Sequence, residues 1–238
     1  MTNLNLKVKA TANIKKNRLV VTVQGNVDQK SLEKLYTEIR FCVADLKPGF
    51  EVISDISQCN LIYISGLPVY KKIIDYLVDN KVGEIVRIIK NDNVSFKQIV
   101  NFSEKIQCYR TLYAEDQQEA EHKLNTLIRR DGIRFTLNSL VLAYTADERL
   151  GTGELVDIST SGCSVKAPTV PVAVGGVIEM TIRFEQHQTL VSVFQAKAQI
   201  VRADTEGFAA QFMDVDDTRK EALYNRLAHE FHQISFVL

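Results

Sequence analysis

Arg130-Asp131-Gly132-Ile133-Arg134, followed by Asp157-Ile158-Ser159-Thr160-Ser161-Gly162, decides the fold of the C-terminal half of this chain. The first stretch sets two arginines four residues apart, and the second is a small polar turn of the form Asp-x-Ser-x-x-Gly. Arginine's planar fork donates two parallel hydrogen bonds to phosphate oxygens or to guanine O6 and N7. A carboxylate accepts from the N–H groups on guanine's opposite edge, and a serine hydroxyl serves in either role. Glycine lets the backbone turn sharply or come close to a ligand. Each half alone has an ordinary reading: a solvated basic turn for the arginines, local side-chain bonds to backbone N–H groups for Asp and Ser. Their joint occurrence ahead of a strand-rich segment is the specific signal.

That segment changes texture after residue 129. Gly151-Thr152-Gly153 and Gly175-Gly176 punctuate short extended runs. Ile178, Met180, Ile182 and Phe184 alternate with polar residues, as do Phe194, Ala196, Ala198 and Ile200; Gly207 to Phe212 is a last strand. About six short strands without intervening helices predict a small antiparallel barrel or sandwich. Asp216-Asp217-Thr218 then caps a terminal helix whose apolar stripe is Leu223, Leu227 and Phe231.

With both motifs in this order, the C-terminal half resembles the PilZ domain, the bacterial receptor module for cyclic di-GMP. The resemblance implies a six-stranded antiparallel β-barrel with a terminal helix over residues 129–238. It implies that Arg130 and Arg134 grip phosphate and guanine from the segment entering the barrel. Asp157, Ser159 and Gly162 would form the floor. Arg129 adds a third cation, suited to stacking on a second base or to the C-terminal dipole of the preceding helix. Arg202 is either a further ligand-facing residue or an exposed strand residue.

Residues 1–128 read differently. Leu19, Val21 and Val23 alternate as a strand that Gly25 ends, and Asp28-Gln29-Lys30-Ser31 offers helix caps before Leu32, Leu35, Ile39 and Leu46 at helical spacing. Pro48-Gly49 breaks that helix. Further strands are expected at 50–56, 84–90 and 110–114, with helices from Ser65, over 94–106 and over 117–128. Such alternation predicts an α/β layered domain with a partly parallel sheet, and an α+β two-domain chain overall. The order is similar to the STAS domain of anti-sigma-factor antagonists, best matched at Gly25-Asn26-Val27-Asp28 and Asp55 to Leu67. Phospho-switch members carry Asp-Ser-Ser-Gly at the second helix start. Here Tyr63-Ile64-Ser65-Gly66 stands there, so Ser65 is the candidate phosphorylation site and the two residues before it depart from the pattern.

Composition sets the outer limits. In 238 residues, 45% are hydrophobic, 24% are charged and the formal net charge is zero, which is typical of globular protein. An anion site must therefore be a local cluster, and binding to a nucleic-acid polymer is not indicated. No apolar run reaches the ~20 residues a membrane span needs, and the N-terminus lacks a signal-peptide core. Cys42, Cys59, Cys108 and Cys163 are scattered, which favours free thiols over disulfides or zinc. His229 and His232, three apart, lack a third metal ligand; His122 and His187 are isolated. No nucleophile–base pair or phosphate loop appears. The expectation is a cytoplasmic binding protein without enzymatic activity, metal or cofactor. Its ligand is cyclic di-GMP, and it also has a protein partner and scope for a homodimer. The rival expectation is a partner-switching protein regulated at Ser65.

Overall fold

The structure is a computed structural model and describes residues 6–90, 109–126, 133–137, 140–186 and 189–234. Its chain divides into two compact units, Met1–Ile133 and Arg134–Leu238. The expected helix over 94–106, together with Cys108, Leu127, Ile128, Arg129, Arg130 and His187, lies outside the described residues.

The first unit is built on a five-stranded sheet: β1 (Lys7–Asn13), β2 (Arg18–Val27), β3 (Glu51–Ile62), β4 (Ile85–Ile88) and β5 (Leu112–Ala114), in that spatial order. β1 runs antiparallel to β2, and the remaining pairs are parallel. Among the described residues, helices α1 (Gln29–Ala44), α2 (Leu67–Asp79) and α3 (Gln117–Thr126) accompany it. Asp28 starts α1 by accepting from the Ser31 N–H at 2.8 Å, as its residue type predicts. The period of two along the central strands divides the core. Ile53, Val86 and Ile88 pack with Ala120 and Leu124 of α3. Residues of the opposite phase, including Val52 and Ile85, line a cavity with α1 and α2. α3 is tied down through buried Arg18, which meets Glu51 at 2.6 Å and Glu121 at 2.5 Å.

Two expectations here are corrected. Gly25 does not end β2. It sits at φ +79° next to a register shift, and the strand continues as a bulge to Val27. β1 is a strand that the sequence reading passed over, because its pattern KVKATAN is mostly polar and it lies on the edge, with a largely exposed face.

The second unit is a closed antiparallel barrel of β6 (Val141–Ala146), β7 (Arg149–Ile158), β8 (Gly162–Lys166), β9 (Val177–Gln186), β10 (Thr189–Ala203) and β11 (Gly207–Met213). They close in the order β10-β11-β8-β7-β6-β9. Closure removes the free strand edges that an open sheet would present. Leu142, Tyr144, Met180, Ile182, Ile200 and Phe208 are among its buried residues. Helix α4 (Asp217–Ile234) starts at Asp216, which accepts from the Arg219 N–H at 2.8 Å. Its Tyr224 and Phe231 meet the ring of Phe135 edge-on at centroid distances of 5.7 and 6.3 Å.

Gly151 and Gly153 do not punctuate strands; both lie inside β7. Gly151 is directly opposite Tyr144. A Cβ at Gly151 would stand 2.6 Å from Tyr144 Cζ, so the absence of a side chain is what admits the buried ring. Gly151→Ala should therefore cost about 1–3 kcal/mol in urea unfolding, the range for overpacking a filled core. Glu121 allows a second check. Its carboxyl is held below its ordinary value of 4.5, first by the hydrogen bond from Lys16, against the opposing effect of burial, and then by Arg18. A depressed carboxylate stabilises the fold above its unfolded pKa and stops doing so as pH falls through the folded one. Glu121→Gln should thus lower stability by about 1 kcal/mol at pH 7, and the difference between the two unfolding curves should shrink as pH falls below the ordinary 4.5 and through the lowered folded value.

Candidate functional site

The site begins with an irregularity in β7. Along this strand Gly151, Gly153 and Leu155 are buried and their neighbours exposed. The register against β8 slips between Leu155 and Asp157, leaving Val156 as a bulge. The extra residue reverses the phase. Leu155 and Ile158 pair with the core residues Val165 and Cys163, whereas Asp157 pairs with Ser164, which alternates with them and faces the other way. Without the bulge Asp157 would share Leu155's side and point into the barrel.

Arg134 reaches this outer face because of its neighbour. Phe135 and Ile158 exchange two backbone hydrogen bonds of 2.8 and 2.9 Å, and Phe135 is fully buried. Arg134, one residue earlier, falls on the opposite side from Phe135. Its Nη1 donates to Asp157 Oδ1 and, at 3.3 Å, to Ser164 Oγ. The guanidinium is 15% exposed and Asp157 only 2%, so the carboxylate is neutralised mainly within the protein. Arg134 Nε is buried with no hydrogen-bond partner among the described residues.

The hairpin between β7 and β8 is short and internally satisfied. The Ser159 N–H donates to Gly162 O at 2.8 Å. Ser159 Oγ lies 3.1 Å from Ser161 Oγ and accepts from the Ser161 N–H at 3.3 Å. The side chain of Ser159 is fully buried, and Thr160 Oγ1 beside it is buried with no partner among the described residues. Gly162 is needed for close approach rather than for an unusual dihedral. A Cβ there would meet Ala210 O of β11 at 2.4 Å. Cys163, the next residue, faces inward, and burial, reinforced by Asp157, pushes its thiol up to about 12. Like Cys42, it is a free cysteine.

The structure therefore brings Arg134, Asp157, Ser159 and Gly162 together at one hairpin. Arg129 and Arg130 lie outside the described residues. Ser65 is elsewhere, in the first unit: it is exposed in a 3-10 turn, Ile64–Gly66, directly ahead of α2. The sequence reading missed Ser164, although its position two residues beyond Gly162 in an alternating strand places it on Gly162's face. Arg202 also gains a location. Asp157 is opposite Ser164, Ser164 opposite Ala209, and Ala209 opposite Arg202, so the four form one row across β7, β8, β11 and β10. Adjacent strands are about 4.8 Å apart, so the row is about 14 Å long. Among the described residues no cluster of three or more His, Cys, Asp or Glu side chains could hold a metal ion. No helix of the described residues is long and apolar enough to cross a membrane.

Residues 128–229 match the family model of the PilZ domain. Several solved structures are similar to this chain. The PilZ domain of CeSA from a cellulose-synthesizing bacterium is 20% identical, with 42% of this chain and 97% of that chain covered and a TM-score of 0.32. The PilZ domain of YcgR from Escherichia coli with c-di-GMP is 16% identical, with coverages of 47% and 100% and a TM-score of 0.38. The anti-sigma factor antagonist SpoIIAA in its unphosphorylated form is 10% identical, with coverages of 52% and 100% and a TM-score of 0.35. The similarity to SpoIIAA-like folds is in the N-terminal half. A comparison with curated proteins found no match.

The Arg134–Asp157 pair is itself part of the packing of this unit. Removing one member of a buried pair leaves the other uncompensated. Arg134→Ala and Asp157→Asn should each destabilise the domain by about 2 kcal/mol, with the double variant losing much less than their sum. Chemical denaturation of the four proteins measures that coupling; full additivity would show that the two side chains do not sense one another.

Proposed function

We propose that the chain is a receptor for cyclic di-GMP, bound on the outer face of the barrel at the Asp157–Gly162 hairpin. One observation carries this reading. Arg134, Asp157, Ser159 and Gly162 converge on one hairpin within the stretch that matches the PilZ domain. Arg130 and Arg134 supply forks for phosphate and for guanine O6 and N7, and Arg129 supplies a third cation for stacking on a second base. Asp157 offers acceptors to guanine N–H groups and Ser159 a hydroxyl. Arg202, at the far end of the row, lies within reach of the opposite end of a ligand that long. Binding would be read out by a protein partner, or by a second copy, through the N-terminal domain. The ligand must then favour one arrangement of the chain by its differential affinity. The chain is read as a cytoplasmic receptor, not an enzyme.

A second reading rests on Ser65. It is exposed and stands next to Gly66, the N-cap of α2, where an added phosphate would meet the positive end of a helix. Phosphopeptide mapping from cells tests this reading, and a persistently unmodified Ser65 would count against it.

Calorimetric titration of the full chain decides the first. Cyclic di-GMP should bind saturably with a Kd in the micromolar range or tighter, about −8 kcal/mol or better, whereas GTP should not. Arg130→Ala should remove binding with the fold intact. Arg202→Ala should weaken it about tenfold, or ~1.4 kcal/mol. No heat from the wild-type chain, or unchanged affinity in Arg130→Ala, would overturn the assignment.

A further inference from the structure

Each end of the row Asp157–Ser164–Ala209–Arg202 sits beside a one-residue bulge. At Asp157 the extra residue is Val156. At Arg202 it is Val201, because the register of β10 against β11 slips between Ile200 and Arg202. The effect on Arg202 mirrors that on Asp157. Ile200 is buried and pairs with buried Ala210. In an unbroken strand Arg202, two residues on, would share the inward side of Ile200. With the bulge it pairs with Ala209 and stands exposed on the outer face, while Ala203 pairs with buried Phe208. Bulges re-aim side chains in this way beside functional sites. One of these two delivers a carboxylate to the row and the other a guanidinium.

Between its ends the row is low. Ser164 and Ala209 are directly opposite one another and carry side chains of at most two heavy atoms. Gly162 and Gly207 stand two residues before them on the same strands, so the period of two leaves small residues beside them as well. A planar base can lie on such a floor within the span of about 14 Å between Asp157 and Arg202. Arg202 faces that floor without being tied to the nearby turn. The carboxyl of Asp204 is held below its ordinary value first by the N–H groups of Glu206 and Gly207, and least by the charge of Arg202.

We propose that Arg202 is the specificity-determining residue for the second base of the ligand, taking O6 and N7 of a guanine that lies over Ser164 and Ala209 and disfavouring an adenine there. The inference rests on the cyclic di-GMP reading. Guanine presents two acceptors on that edge, whereas adenine presents the N7 acceptor and an N6 donor. Arginine has only donors, so an adenine replaces one of the two bonds by a donor facing a donor. Asp157 selects guanine at the other end by the opposite rule, as an acceptor of N–H groups.

The test is calorimetric titration of the full chain, wild type, Arg202→Ala and Arg202→Lys, with cyclic di-GMP, the mixed cyclic GMP–AMP and cyclic di-AMP. The wild type should prefer cyclic di-GMP to the mixed ligand by about tenfold or more, the worth of one bidentate contact, and bind cyclic di-AMP most weakly. Arg202→Ala should bind the first two ligands alike. Arg202→Lys keeps the charge without the fork, so it should retain more affinity than Arg202→Ala yet lose most of the preference. Both variants should melt with the wild-type Tm, since the side chain is exposed. The inference is overturned if the wild type binds cyclic di-GMP and the mixed ligand equally, or if either variant keeps the full preference. A wild-type chain that binds none of the three overturns the receptor reading itself, and this inference with it.

Discussion

Two backbone hydrogen bonds between Phe135 and Ile158 carry the arrangement of the C-terminal domain. Phe135 is anchored on its other side by Tyr224 and Phe231, so the bridge fastens the barrel entrance to the terminal helix as well as to β7. Strand geometry does the rest. When a phenylalanine is fixed inward, the arginine before it must face outward, and the nearest outward group on β7 is Asp157. The guanidinium is thus positioned by a hydrophobic contact on the far side of the backbone. This gives a polar site the positional precision of a core residue.

Three arginines show how burial decides chemistry. Arg18 is enclosed with two carboxylates and serves as a clasp between sheet and helix. Arg134 meets Asp157 and the Ser164 hydroxyl at a partly open face, and its Nε has no hydrogen-bond partner among the described residues. Arg87 is enclosed among phenols beside an apolar cavity. Residue type is constant across the three, and what surrounds each guanidinium differs.

Much of the fold was legible because hydrophobic period and capping residues act locally. Asp28 and Asp216 cap the helices they were expected to cap. The alternation at Ile178–Phe184 and Phe194–Ile200 predicted the barrel strands. The failures are places where a distant partner sets the conformation. Gly151 reads as a turn until Tyr144 is seen opposite it, and Gly25 reads as a stop until the parallel partner β3 carries the strand past it. For the site, residue types and spacing pointed to Arg134, Asp157, Ser159 and Gly162. Ser164 and the row leading to Arg202 depend on pairing across four strands, and no local pattern encodes that register. The bulge at Val156, which turns Asp157 outward, is equally invisible in a run that reads as unbroken alternation.

The Ser159–Gly162 hairpin has a thermodynamic consequence. Its backbone is closed by its own hydrogen bond, its serine is immobilised in the interior, and its glycine is seated against the carbonyl of Ala210. The loss of conformational freedom for these residues is therefore part of folding the barrel and recurs in no later association event. A hairpin prepared in this way presents one fixed shape to whatever meets it.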